Sequence, residues 1–262
     1  MKQKTIKDFF SLSGQGLHSG KTSLLKLSPA PPNSGIYFIK EKKRIPASAE
    51  QVKETRRGTS LDSIAVTEHF LAAVYGLGID NLQVEVLGDE LPALDGSALP
   101  FVEALEKAGT TEQAAEKNYL TIHQTIKLTG NDSSLEVLPY HGFKVDFVVD
   151  FPGVGKQHLA FDLKKDDFKN EIACARTFGY LEEHELLKQQ KLGQGASLEN
   201  ALVLSKDGYI NQPRFQDEIV RHKILDLIGD LALLGRPLQA EVRAIKSGHK
   251  LNIEMVRRLL QI

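Results

Sequence analysis

The run Leu82-Gln83-Val84-Glu85-Val86, set between Gly76-Leu77-Gly78 and Asp95-Gly96-Ser97, comes back as Leu238-Gln239-Ala240-Glu241-Val242 between Leu234-Gly235 and Ser247-Gly248-His249. Both runs alternate apolar and polar residues, the period of a strand with one buried face. In both places a helical pattern precedes the glycine turn and another follows the second turn. A chain whose two halves end alike reads as an internal repeat, each half a strand-rich layer backed by two helices. The fold class is therefore α+β. In such a repeat the helix carrying Glu68-His69 is the counterpart of the helix carrying His222 and Asp226, so facing the halves brings the two polar sets together.

Outward from the repeated strands, the first half reads as strands over Thr5 to Leu12, Ser23 to Leu27 and Ile36 to Ile39. Ser13-Gly14-Gln15-Gly16 and the Pro29-Ala30-Pro31-Pro32-Asn33 breaker separate them. A helix is expected from about Thr67 to the Gly76 turn, and another over Leu99 to Lys107. The polar stretch Thr110 to Asn118 is the linker candidate, giving domains at 1–109 and 119–262 with 110–118 between. The second half repeats the plan. Strands are expected near Tyr119 to Leu128, Ser134 to Leu138 and Phe143 to Phe151, then helices near Asp166 to Cys174, Glu182 to Gln190 and Phe215 to Leu234.

The totals narrow the function classes. The chain has 262 residues with 33 basic and 34 acidic side chains, an ordinary globular composition with no basic excess to recommend a nucleic-acid partner. The charged start Met1-Lys2-Gln3-Lys4 lacks the apolar core of a signal peptide, and the apolar run around α-helical Leu225 to Leu234 is interrupted by Asp226 and Asp230. A cytoplasmic chain without a transmembrane segment is expected. The single cysteine, Cys174, excludes an intrachain disulfide and a multi-cysteine zinc site, so any metal must be held by His, Asp or Glu.

His222 and Asp226 stand one helical turn apart among Ile219, Ile224, Leu225 and Ile228. An imidazole and a carboxylate so placed can hold two corners of a zinc site, but a catalytic site wants a third protein ligand from elsewhere. Each residue also has a plainer reading. Glu68 and His69 fit a solvated first helical turn whose glutamate favours the helix dipole. His222 and Asp226 fit a surface helix pair. His249 sits on a glycine turn after a strand, where loops commonly place catalytic groups, or where a histidine is simply exposed. His18, in Gly14-Gln15-Gly16-Leu17-His18-Ser19-Gly20, is accounted for by a glycine-rich hairpin. The run is no phosphate loop, because no Lys-Ser or Lys-Thr follows at the required spacing.

Taken in order, these segments resemble a known family, the UDP-3-O-acyl-N-acetylglucosamine deacetylases that commit Gram-negative bacteria to lipid A synthesis. The resemblance runs through residues 13–20, Thr67-Glu68-His69, Gly76-Leu77-Gly78-Ile79-Asp80-Asn81, Leu94-Asp95-Gly96-Ser97-Ala98, Ala175-Arg176-Thr177-Phe178-Gly179, residues 220–230 and Lys246-Ser247-Gly248-His249. It spans nearly the whole chain. It implies two similar domains, each a mainly antiparallel sheet layer with two helices, the helices packed between the two sheets.

By the same resemblance His69, His222 and Asp226 bind Zn²⁺, with Fe²⁺ as an alternative, and Glu68 is the general base. His249 and Lys223 act as acid or electrostatic stabilisers, Thr177 helps bind the developing oxyanion, Phe178 borders the sugar and Phe151 the uracil. The implied partner is a UDP-linked acylated N-acetylglucosamine, and a monomer is expected. Two departures stand out. Only Asp62-Ser63-Ile64-Ala65-Val66 separates Leu61 from Thr67, where relatives have a longer strand-turn-strand. Residues 193–197 read Gly-Gln-Gly-Ala-Ser, where relatives favour a glycine pair before the serine. The rival readings are a metal-dependent deacetylase of another acetamido sugar, and a non-catalytic relative that binds a nucleotide sugar.

Overall fold

The computed structural model describes residues 1–262. The first half comprises β1 (Lys2–Ile6), β2 (Phe10–Gln15), β3 (Thr22–Pro29), β4 (Ile36–Lys40), β5 (Lys43–Pro46), β6 (Val52–Glu54) and β7 (Ser60–Leu61). It continues through α1 (Glu68–Gly76), β8 (Leu82–Leu87), α2 (Leu99–Ala108) and β9 (Thr110–Glu116). The second comprises β10 (Leu120–Thr121), β11 (Ile126–Thr129), β12 (Ser134–Pro139), β13 (Phe143–Phe151), β14 (Gly155–Asp162) and β15 (Phe178–Tyr180). After these come α3 (His184–Gln189), β16 (Leu202–Ser205), β17 (Gly208–Tyr209), α4 (Glu218–Leu231), β18 (Leu238–Ile245) and α5 (His249–Leu259).

The repeated runs are the central strands of two sheets with one topology. The first sheet has the order β2-β3-β8-β4-β5 and the second β11-β12-β18-β13-β14. In each, the central strand is antiparallel to the preceding hairpin (β3, β12) and parallel to the next (β4, β13). The alternation has the expected cause: Leu82, Val84 and Val86 are buried, as are Leu238, Ala240, Val242 and Ala244. The polar residues between them face out, where Glu85 pairs with Lys26 and Glu241 with Lys144.

The buried faces of both sheets meet helices, and those helices meet each other. Phe70 of α1 packs on Phe38 of β4, ring centroids 6.0 Å apart, and on Phe101 of α2 at 5.5 Å. From the other side α4 lies against β13 and β14, and α1 against α4. The result is sheet, helices, helices, sheet around one core of 56 buried residues. Gly229 makes the helix contact close: a Cβ there would collide with the backbone of Glu68. Beyond the C-terminal ends of α1 and α4 the halves part around a 940 Å³ cavity lined by Tyr75, Gly78, Leu234 and Gly235, among others, with none of the polar residues singled out from the helix starts.

Several local expectations are corrected. The strand expected over Thr5 to Leu12 is two strands, because the chain bends at Lys7 and Asp8, whose N–H groups bond Gly109 and Ala108 carbonyls. Within the linker candidate Thr110 to Asn118, Thr110–Glu116 is a strand paired with β1, and it reads as polar because most of its side chains remain in water. Tyr119 to Leu128 likewise breaks into β10 and β11. The segment Asp166 to Cys174 is helical as a π turn, Phe168–Ala173, and α4 begins at Glu218 rather than Phe215. No helix is long and apolar enough to cross a membrane.

Candidate metal centre

Two helix starts supply the site. α1 begins at Glu68, two residues after Val66 in the left-handed region (φ 56°), a conformation a β-branched residue adopts only when its surroundings enforce it. Here the flanking ladder does so: Ala65 N–H donates to Asp89 O, and Leu91 N–H to Ala65 O. The turn delivers Glu68 and His69 inward, 3% and 6% exposed, so the solvated first helical turn is ruled out for both. His222 and Asp226, each 3% exposed, come from the second and third turns of α4, which rules out a surface pair.

Three ligand atoms converge. His222 Nε2 lies 3.4 Å and His69 Nε2 3.6 Å from Asp226 Oδ1, the two imidazoles set edge to face with centroids 5.0 Å apart. His222 Nδ1 is 3.2 Å from the Ala175 carbonyl, which holds the proton on Nδ1 and leaves the Nε2 lone pair facing Asp226. Burial, with His69 and Lys223 adding to it against the pull of Asp226, takes His222 down to about 4, so the ring is neutral near pH 7. Asp226 Oδ1 is buried without any hydrogen-bond donor. An orphaned carboxylate oxygen facing two imidazole nitrogens is costly unless a cation sits among them. The nitrogen, nitrogen and oxygen set, with its ligand atoms mutually within 4.8 Å, fits Zn²⁺ or Fe²⁺.

Around this triad stand further charged groups. Asp226 Oδ2 accepts from Lys223 Nζ and lies 3.7 Å from His249 Nε2. Burial pushes the Asp226 carboxyl up, but His222, Lys223 and His249 outweigh it and hold the group well below the ordinary carboxylate range. Glu68 is the opposite case: burial raises its pKa, and the nearby histidines only partly compensate. Its Oε2 accepts the Thr59 N–H at 2.9 Å, while Gly58 (φ 143°) brings backbone against Oε1 that a side chain would obstruct. His249 opens α5, with Nδ1 2.8 Å from Asp230 Oδ2. Burial pushes this imidazole down, yet Asp230 and Asp226 prevail and raise it to about 9.

One wall comes from the segment before β15. Arg176, 6% exposed, bonds Glu218 through both its backbone N–H (3.0 Å) and its guanidinium Nε (2.9 Å), pinning the segment to the first turn of α4. Thr177 is held by backbone bonds to Gly96 and Leu202. Phe178 then stands edge-on to His222 at 5.8 Å, and Phe151 edge-on to Phe178 at 5.1 Å. The structure thus gathers Glu68, His69, His222, Lys223, Asp226 and His249 around one point, with Phe178 against it and Phe151 one ring farther out. His18 sits at a hairpin tip, its Nε2 3.1 Å from the Arg57 carbonyl, and the Leu17 and His18 carbonyls there accept from Gly195 and Gln194 of the second half.

Sequence reasoning missed Asp230, Thr59, Asn252 and the Ala175 carbonyl as part of this network. Asp230 alone carried a signal: it lies four residues after Asp226 on the same buried face, where a carboxylate needs partners. It finds Thr59 Oγ1, Asn252 Nδ2 and His249.

Comparison with known proteins agrees with this geometry. The family model for LpxC, described as UDP-3-O-acyl N-acetylglycosamine deacetylase, matches residues 3–261. The UDP-3-O-acyl-N-acetylglucosamine deacetylase of Coxiella burnetii (strain RSA 493 / Nine Mile phase I) is 41% identical over 274 residues, covering 99% of this chain and 90% of the relative. That of Myxococcus xanthus (strain DK1622) is 43% identical over 270 residues, covering 98% and 86%, and that of Shewanella woodyi 42% over 273, covering 98% and 90%. With a buried triad of metal-ligand type in place and the match running from end to end, the chain belongs to the LpxC family of UDP-3-O-acyl N-acetylglycosamine deacetylases.

Proposed function

We propose that this chain hydrolyses the acetamide of UDP-3-O-(3-hydroxyacyl)-N-acetylglucosamine, releasing acetate in lipid A biosynthesis, as a monomeric cytoplasmic enzyme using Zn²⁺ held by His69, His222 and Asp226. The observation that carries the reading is the donorless, buried Asp226 Oδ1 facing two Nε2 atoms, with Glu68 and His249 beside it. Zinc in such a site polarises a carbonyl and brings the pKa of a bound water to about 7.

The protein groups divide the proton work. Glu68, lifted in pKa by burial, takes a proton from the attacking water. His249, raised to about 9, is protonated at neutral pH and gives its proton to the leaving nitrogen as the C–N bond breaks. Each such transfer contributes ~10² to 10⁴ in rate. Thr177 donates to the oxyanion as the carbonyl carbon becomes tetrahedral, and Lys223 adds positive charge beside Asp226, contacts that strengthen as charge develops. Phe178 and Phe151 offer apolar edges to the sugar and the base.

The test is acetate release from the UDP-acyl-N-acetylglucosamine by purified protein, with and without chelator, alongside metal analysis. Stoichiometric metal and chelator-sensitive release are expected. No release, or full activity without metal, would refute the reading.

A further inference from the structure

One fully buried residue that lines neither the triad nor the aromatic wall touches both proton-transfer groups. Thr59 lies in the bend before β7. Its carbonyl accepts both the N–H and the hydroxyl of Thr67, each at 3.0 Å, so it is tied to the residue that leads into Glu68. Its own N–H donates to Glu68 Oε2 at 2.9 Å. Its hydroxyl donates to Asp230 Oδ1, and the same Oγ1 is 3.2 Å from His249 Nδ1.

The hydrogen-bond inventory fixes the direction of each contact. Asp230 Oδ2 takes the His249 Nδ1–H at 2.8 Å and the Asn252 Nδ2–H at 2.8 Å. Oδ1 takes the Thr59 hydroxyl. A threonine hydroxyl has one proton, and here it is committed to Asp230, so Oγ1 can only accept from His249. With Nδ1–H directed into this pair of acceptors, the ring's other nitrogen faces Asp226 and the reacting centre. Removing the hydroxyl leaves Oδ1 of a fully buried carboxylate without this donor, and the carboxylate then gains by turning away from the plane that aims His249.

We infer that Thr59 is a positioning residue that sets Glu68 and His249 relative to each other, through its N–H on one side and its hydroxyl and Asp230 on the other. The inference rests on the acid and base roles proposed above. It makes Thr59 the one place where both groups share an anchor: backbone bonding fixes the base, and side-chain bonding aims the acid. Only the second depends on the residue type.

The test compares Thr59→Val, which keeps the shape and removes the hydroxyl, with Thr59→Ser, which keeps the hydroxyl. In T59V kcat is expected to fall by roughly 10²-fold, the lower range for one positioned proton transfer, with KM within twofold and metal content unchanged. T59S should recover most of the lost kcat. A second readout needs no turnover: the hydrogen-bonded Nδ1–H proton of His249, assigned by its disappearance in His249→Gln, should shift or vanish by NMR in T59V and persist in T59S. If T59V fails to fold, Thr59→Ala serves in its place. A T59V enzyme with the parent kcat and an unchanged His249 signal would overturn the inference. So would T59S losing as much activity and thermal stability as T59V. If the parent protein releases no acetate, the proposed function fails, and the NMR comparison still reports whether Thr59 aims His249.

Discussion

His222 Nε2 and Asp226 Oδ1, one turn apart on α4, face each other at 3.4 Å, and the carboxylate oxygen has no donor of its own. His69 joins them from α1, while Glu68, its neighbour in the chain, is bonded to the Thr59 N–H. Neighbouring residues thus face different tasks, and substitutions should separate them. Glu68→Ala is expected to keep stoichiometric metal and lose ~10² or more in kcat, while His222→Ala and Asp226→Ala lose the metal itself. Metal analysis beside acetate release checks this; equal metal loss in all three would refute the division of roles.

The pH profile of kcat/KM should be bell-shaped. Glu68 must be ionised to accept a proton, and burial raises its pKa, so activity climbs with pH through a value above the ordinary glutamate range. His249 must be protonated to donate, so activity falls as pH rises through about 9. His249→Gln should lower the maximum and remove the alkaline limb. An alkaline limb that survives in H249Q would assign that limb to another group.

Gly229→Ala tests the helix contact that brings the two ligand sets together. The added methyl meets the Glu68 backbone, which belongs to α1 and cannot swing aside as a side chain would. A loss of about 1–3 kcal/mol in unfolding free energy is expected, with lowered activity because α1 must move relative to α4. Urea unfolding and kinetics on one preparation check both; parent-like values in each would show that the contact relaxes freely.

The Arg176 and Glu218 pair should matter far more than the exposed ion pairs. Replacing Glu218 by Gln leaves the Arg176 guanidinium buried and unpaired, at a cost of about 3–5 kcal/mol. Burial pushes Glu218 up, but Arg176 and the backbone donors prevail, so its folded pKa lies below the ordinary value. The contribution is therefore complete above about pH 4.3, the usual unfolded glutamate value, and is lost as pH falls through the folded pKa. The gap between parent and E218Q should narrow below that pH; a gap that widens on acidification would refute this sign.

Residues with local periodicity were legible in the sequence, and residues defined by distant partners were not. Leu82, Val84 and Val86, with Leu238, Ala240 and Val242, announced the central strands because alternation is a property of the strand itself. His222 and Asp226 announced a shared helix face for the same reason. The π turn at Phe168–Ala173 could not be told from an α-helix, since so short a helical stretch, with only Phe168, Ile172 and Ala173 buried, reads alike whichever carbonyl each N–H selects. β9 was obscured because its pairing with β1 crosses the length of the first half and leaves mostly polar side chains in water. Thr59 could not be singled out at all. Its surroundings are Asp230, 171 residues later, and His249, 190 residues later.

The halves share one strand order, yet the triad draws His69 from the first and His222 and Asp226 from the second. An ion held by all three is a clasp across the molecule, and its binding free energy counts toward the docking of one half on the other. By mass action such a clasp adds about 4 kcal/mol when free metal stands a thousandfold above its dissociation constant. Loss of such an ion would then loosen the helix seam as well as stop chemistry, and the resistance of this fold to unfolding would follow the metal supply around it.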